Sequence, residues 1–171
     1  GFELKEKIKE WLGEWGYEYE DMGAFSYDEE DDYPDFIRKA AEAVANDPER
    51  SRGIILGGSG QGEAMVANRY KGVRAAVFYG PPFQIKAMGW RKWILFSSIL
   101  FGRGQTAGVL QTDEFGAVLR LIKLSREHND ANTLSLGASF LDARVAKKII
   151  KLWLETLFSG EERHKRRLAK F

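Results

Sequence analysis

The 171-residue sequence contains no cysteine. That excludes disulfides, thiolate metal sites and a cysteine nucleophile, and it suits a reducing, cytoplasmic setting. Long hydrophobic runs are missing too. The most apolar window, WILFSSILF at 93–101, is nine residues long, far short of the roughly 20 that span a bilayer, so no membrane partner is expected. No signal or transit peptide is visible. Neither sign of charge dominates: 26 basic and 25 acidic residues leave a net charge of +1, so no global field argues for nucleic acid. What is present is 44% hydrophobic and 13% aromatic residues, enough to bury one sizeable core in a single domain over 1–171. The charge is unevenly placed. EYEDMGAFSYDEEDDYPD (18–35) is acidic, whereas 161–171, EERHKRRLAKF, carries five Lys or Arg and reads as a basic C-terminal helix. The DEEDD run at 28–32 reads as a solvated loop, and no metal site is expected there.

Periodicity sets the organisation. Leu4, Ile8, Trp11, Leu12 and Trp15 recur at spacings of three and four, predicting a helix that ends near Gly16. YEYEDMG (17–23) alternates and predicts a strand. YPDFIRKAAEAVAND (33–47) has proline at a helix start, where its missing N–H costs nothing. RGIILGG is a short continuous apolar run, as in a strand buried on both faces. Helix is expected over EAMVANRY (63–70), strand over 73–80, helix over 121–129, strand over 133–139 and a long helix over 142–158. Alternating helices and apolar strands imply an α/β fold, a Rossmann-like three-layer sandwich around a parallel sheet. Such a sheet binds ligands at the carboxyl ends of its strands. The chain opens in a helix where the βαβ rhythm calls for a strand, which suggests a missing amino terminus. The stretch 81–118 is too long for an ordinary strand-to-helix connection and reads as an insertion, whether a dimer-extending hairpin, a lid or an excursion.

The loop GGSGQGEAMVANR (57–69) follows the apolar run directly. Consecutive backbone N–H groups beside a helix amino terminus make a donor array for an anion or a developing oxyanion. The loop lacks the Lys-Ser/Thr ending of a phosphate loop, and it does not open a dinucleotide unit. Its glycines make either a tight turn with Glu63 in the first turn of the helix, or a catalytic cradle. In the cradle, the N–H groups hold an oxyanion that appears when Glu63 removes a proton. On a C-terminal helix, Arg163 and Arg167 stand one turn apart and point the same way, so two guanidiniums can clasp one phosphate. His164 lies between them and reads as a bystander or part of the phosphate rim.

GGSGQGEAMVANR, GVRAAV (72–77), LSREHNDANTLSLGA (124–138) and ERHKRRL (162–168) together resemble ribose-5-phosphate isomerase type B, in the family that includes the galactose-6-phosphate isomerase subunits. GFELKEKIKEWL and DDYPDF match in order as well. The resemblance implies interconversion of an aldose and a ketose phosphate through an enediolate, without metal or cofactor. Some members use a cysteine base at the position of Gly57. Another branch has glutamate at the far end of the loop, as Glu63 stands here. The resemblance further implies that Ser59 moves protons between the sugar oxygens and that Gly58, Gly60, Gln61 and Gly62 offer backbone N–H groups. His128 would open the furanose ring, a task suited to a side chain that titrates near neutrality. A single histidine at a helix end is otherwise a structural feature. Asn129 would bond sugar hydroxyls or the enediolate. Tyr33 sits where the family has an aromatic near the substrate, or simply packs at a helix start. Arg163 and Arg167 would reach into the partner's site, implying a homodimer with composite sites.

Three departures stand against the family pattern. The Asp-His pair of the family's first strand would precede Gly1 and is absent. Because that strand is central in the family sheet, a chain beginning here is expected to leave a gap in its core, to be unstable or inactive, and to be a fragment of a longer reading frame. Ser139 stands where arginine is common. The third departure is the insertion. The expected function is sugar-phosphate isomerisation, most directly ribose 5-phosphate to ribulose 5-phosphate. The alternatives are a degenerate, non-catalytic phosphosugar-binding or interaction protein, and nucleic-acid binding by the tail.

Overall fold

In the computed structural model of the chain, residues 1–80 and 113–171 are described. They form helices α1 (Phe2–Glu14), α2 (Tyr33–Asn46), α3 (Gln61–Ala67), α4 (Asp113–Glu127), α5 (Ala143–Glu155) and α6 (Glu162–Leu168). The strands are β1 (Gly53–Gly57), β2 (Ala75–Phe78) and β3 (Thr133–Gly137), with a 3-10 turn at Ala138–Phe140. The three strands pair in the order β1-β3-β2, all parallel, with Gly53 opposite Thr133 and Ala75 opposite the same residue.

Side-chain alternation along β3 divides the core between the two faces of the sheet. Leu134 and Leu136 pack with Leu4, Ile8 and Trp11 of α1, Val118 and Ile122 of α4, and Ile149, Ile150 and Trp153 of α5. Ile55 of β1 points the other way, into Ile37, Ala41 and Val44 of α2 and Ala67 of α3. Helices therefore cover both faces, which is the three-layer arrangement the sequence predicts. Each fully buried Leu or Ile contributes about 1.5–3 kcal/mol by leaving water. Trp153, 0% exposed, is the largest of these side chains. Truncating it to alanine should cost about 3–5 kcal/mol.

Local chemistry sets the helix limits. The Asp142 carboxylate accepts the Arg144 and Val145 N–H groups at 2.9 and 3.0 Å, capping α5. At the other end the Thr156 hydroxyl donates to the Leu152 carbonyl at 2.6 Å and the backbone turns extended, three residues short of the expected end. Helix α4 begins eight residues before the expected 121. Val118, Ile122 and Arg126 continue one buried face at a spacing of four, and Gly116 obscures that pattern in the sequence. The remainder of the expected insertion, 81–112, lies outside the described residues.

The strand expected at 17–23 is not there. Its alternation of tyrosine and acid meets no sheet edge; instead the segment lies along α1. Asp21 accepts Lys5 at 2.7 Å and lies 2.9 Å from Lys9, while Tyr17 and Tyr19 stay exposed. Period-two patterning needs a neighbouring strand to become a strand, and ion pairing to a helix satisfies the segment otherwise.

Candidate active site

The carboxyl end of the sheet is built from the glycine loop. After β1 the chain turns at Gly60, whose φ of +74° suits glycine. A Cβ there would stand 3.0 Å from the Leu136 carbonyl carbon, so the loop rests directly on β3. The Gly60 carbonyl starts α3 by accepting the Ala64 N–H at 3.1 Å. The Ser139 N–H donates to the Gly58 carbonyl at 3.1 Å, tying the loop to the turn after β3. Ser59 Oγ accepts the Gln61 N–H at 3.3 Å.

Glu63 lies in the first turn of α3 and is 5% exposed. Its carboxylate sits over the Gly57 backbone, where any side chain at 57 would collide with it. It has no hydrogen bond or ion pair among the described residues. The Tyr33 hydroxyl lies against Gly62, closing the same side of the loop. Ser59, Gly58, Gly60, Gln61, Gly62, Glu63 and Tyr33 are thus gathered at one place. Among the described residues, no group of three or more His, Cys, Asp or Glu is placed to hold a metal ion.

The amino end of the sheet carries the other candidates. Arg126 of α4, 2% exposed, reaches Asp130 and the Ala131 carbonyl at 2.8 and 2.7 Å. Arg74 bonds Asp130 from the other side at 2.8 Å. The Asn132 side chain ties the Arg74 N–H and the Gly72 carbonyl at 2.8 Å each. These bonds fix the loop bearing His128 and Asn129. The His128 ring packs against His164 of α6 in a tilted contact, centroids 4.2 Å apart at 44°. His164 is 2% exposed, with Nδ1 2.9 Å from Ser159 Oγ. It is therefore the buried floor under His128, and the rim reading of it does not hold. Arg163 and Arg167 project from α6 into solvent, Arg163 pairing with Glu161 at 2.7 Å. Arg167 has no ion-pair partner among the described residues. A cavity of about 600 Å³ opens beside His128, lined also by Glu127, Glu155 and Ser159.

Within one chain these two groups do not meet. They stand at opposite ends of the five-residue β3, about 16 Å long at about 3.3 Å per residue. The resemblance assigns only the two arginines to a partner subunit, yet His128 and Asn129 share their end of the sheet. Sequence reasoning also missed Ser135, which is 0% exposed and bonded to the Gly60 carbonyl at 2.6 Å. Its one signal was a polar residue inside the apolar run TLSLG.

Comparison with known proteins places the chain in a family. The sequence matches the Ribose/Galactose Isomerase family over residues 1–83 and 116–171. It is 34% identical over 168 residues to ribose-5-phosphate isomerase B of Mycobacterium tuberculosis, covering 98% of this chain and 80% of that protein. The fold is similar to that of ribose-5-phosphate isomerase B from Mycoplasma genitalium with bound ribulose-5-phosphate, at a TM-score of 0.74 and 28% identity. That match covers 99% of this chain and 86% of the other. Clostridium thermocellum ribose-5-phosphate isomerase B is similar at a TM-score of 0.71 and 33% identity, over 99% of this chain and 87% of that one.

Proposed function

The chain belongs to the ribose/galactose isomerase family, and from that premise we propose that it interconverts ribose 5-phosphate and ribulose 5-phosphate through an enediolate with Glu63 as base. The observation that carries the reading is the carboxylate of the buried Glu63 lying over Gly57, with no hydrogen bond or ion pair among the described residues. It occupies the space a side chain at 57 would fill, so a base offered from either position reaches the same point. Once Glu63 has taken the carbon-bound proton its own charge is gone, and the new charge lies on the substrate oxygen. The backbone N–H groups of Gly58, Gly60 and Gly62 then hold that oxygen, while the Gln61 N–H, the fourth expected donor, is taken by Ser59 Oγ. Ser59 carries protons between the two sugar oxygens, with Tyr33 closing the pocket beside Gly62.

His128 opens the furanose ring, Asn129 bonds the sugar hydroxyls, and Arg163 and Arg167 hold the phosphate. Because these four lie at the far end of β3, the complete site takes them from a second copy of the chain. The separation of the two groups within one chain supports a homodimer with composite sites. We propose a cytoplasmic setting with it, supported by the absence of cysteine. No helix among the described residues is long and apolar enough to cross a membrane.

The test is conversion of ribose 5-phosphate to ribulose 5-phosphate by the purified protein and by Glu63→Gln. The variant should bind the sugar phosphate and turn it over about 10³-fold more slowly, within the range of a general base. Full activity in Glu63→Gln would remove Glu63 from the role. Binding without turnover in the unaltered protein would replace the isomerase reading with that of a phosphosugar-binding protein.

A further inference from the structure

We infer that Ser135 is a positioning residue that sets the Ser59 hydroxyl through the Gly60–Gln61 peptide; this rests on the isomerase reading of Ser59. Ser135 lies in β3, every residue of which is buried, and is itself 0% exposed, so it touches no substrate. Its hydroxyl donates to the Gly60 carbonyl at 2.6 Å. That carbonyl already accepts the Ala64 N–H at 3.1 Å, so the serine is not needed to satisfy it. Alanine would leave no buried polar group unpaired.

The effect of the serine is directional. In a trans peptide the C=O and the following N–H point in opposite directions. A Gly60 carbonyl drawn down onto Ser135 therefore turns the Gln61 N–H up, away from β3. There it meets Ser59 Oγ at 3.3 Å. A serine hydroxyl has one proton to donate and two lone pairs that accept. With one lone pair held by Gln61, the Ser59 proton is left to face the substrate oxygens. Donation to one end of a peptide also polarises the other, strengthening successive bonds in a chain by roughly 10–30%. The path from Ser135 through the peptide to Ser59 is thus one hydrogen-bonded relay that ends on the proton-transferring group.

The experiment uses the full chain and four variants: Ser135→Ala, Ser59→Ala, the double variant, and Glu63→Gln as reference. In Ser135→Ala the Gln61 amide nitrogen resonance should move, kcat should fall about tenfold, as expected when the hydrogen bond from Ser59 to the reacting oxygens is misaimed, and KM should stay within about twofold. In the Ser59→Ala background the same change should cost nothing further, since the relay then ends on no hydroxyl. An equal loss of kcat in that background, or an unmoved Gln61 resonance, would overturn the inference and leave Ser135 a packing residue. Ser135→Thr and Ser135→Val, equal in size, isolate the hydroxyl if alanine disturbs the fold: threonine should keep activity and valine lose it. Absence of turnover in the unaltered protein would defeat the isomerase reading, whereas full activity in Glu63→Gln would remove only Glu63 from the role of base. The Gln61 resonance still reports on the relay in that case.

Discussion

At the carboxyl end of β3 the side chains and amides of the candidate site come from one continuous stretch, 57–63, with Tyr33 and Ser135 supporting it. At the amino end they come from 126–132, braced by Arg74, Arg126 and Asp130, and from 159–167, joined to it by the Ser159 N–H on the Glu127 carbonyl and by the His128–His164 contact. The first end is a donor array around a buried carboxylate and is suited to charge that appears during reaction. The second presents a tilted histidine pair and two solvent-facing arginines, suited to a ligand that arrives already charged. The difference teaches how a parallel sheet divides its work. On the proposed function, chemistry sits where helix amino termini and strand ends converge, and recognition of a bound anion is left to a helix surface.

The largest expected effect is the 10³-fold loss in Glu63→Gln, which leaves the amino end intact. If phosphate binding fell along with turnover, the two ends would not be separable in function. A smaller loss, about 10²-fold, is expected of Gly57→Ala. The added methyl must push the Glu63 carboxylate aside, and a displacement of about 1 Å near reacting atoms costs about that much. A Gly57→Ala enzyme with unchanged kcat would mean that the carboxylate is not required where it stands.

The next prediction joins the two ends. Arg167→Ala should raise KM about tenfold, as expected for one charge-assisted bond to a phosphate. Co-refolding Glu63→Gln chains with chains carrying both Arg163→Ala and Arg167→Ala should restore roughly a quarter of normal activity, because half the dimers then hold one intact composite site of two. No recovery in mixed dimers would place both ends of one site in a single chain.

The smallest expected effect lies away from both ends. Burial pushes the Asp21 carboxyl up, but Lys5, Lys9 and the Gly23 N–H together outweigh it and bring the pKa to about 2, from an ordinary 3.8. A carboxyl depressed on folding stabilises the native state above its unfolded pKa and loses that contribution as pH falls through its folded one. Acid unfolding followed by fluorescence should therefore show a component between about pH 4 and pH 2 that Asp21→Asn removes. Activity at neutral pH should be untouched, which separates this ion pair from the site.

Legibility followed locality. The helices of 33–46, 61–67 and 143–155 and the strands of 53–57 and 133–137 were readable because each carries its own local pattern of apolar residues, with glycine or proline marking several of the limits. The segment 17–23 carried a strand's period, but a strand also needs a neighbour, which no local pattern supplies. The early start of α4 was hidden by Gly116, whose low helix propensity is outweighed by the burial of Val118 and Ile122. Glu63 and its loop were readable because base and donors lie within seven residues of one another. His164 was not, because its burial depends on His128, 36 positions earlier in the sequence.

The sequence by itself determined the layered α/β class, the donor loop with its carboxylate, the paired arginines and the family. These rest on periodicity, turn chemistry and short-range spacing, which survive in one dimension. Only the tertiary structure decided that the Glu63 carboxylate fills the space over Gly57, that Ser135 reaches the Gly60 carbonyl, and that His128 and Asn129 stand with the arginines rather than with the loop. Each of these depends on which strand lies beside which and on the end of the sheet a connection reaches. Pairing β3 between β1 and β2 fixed both at once.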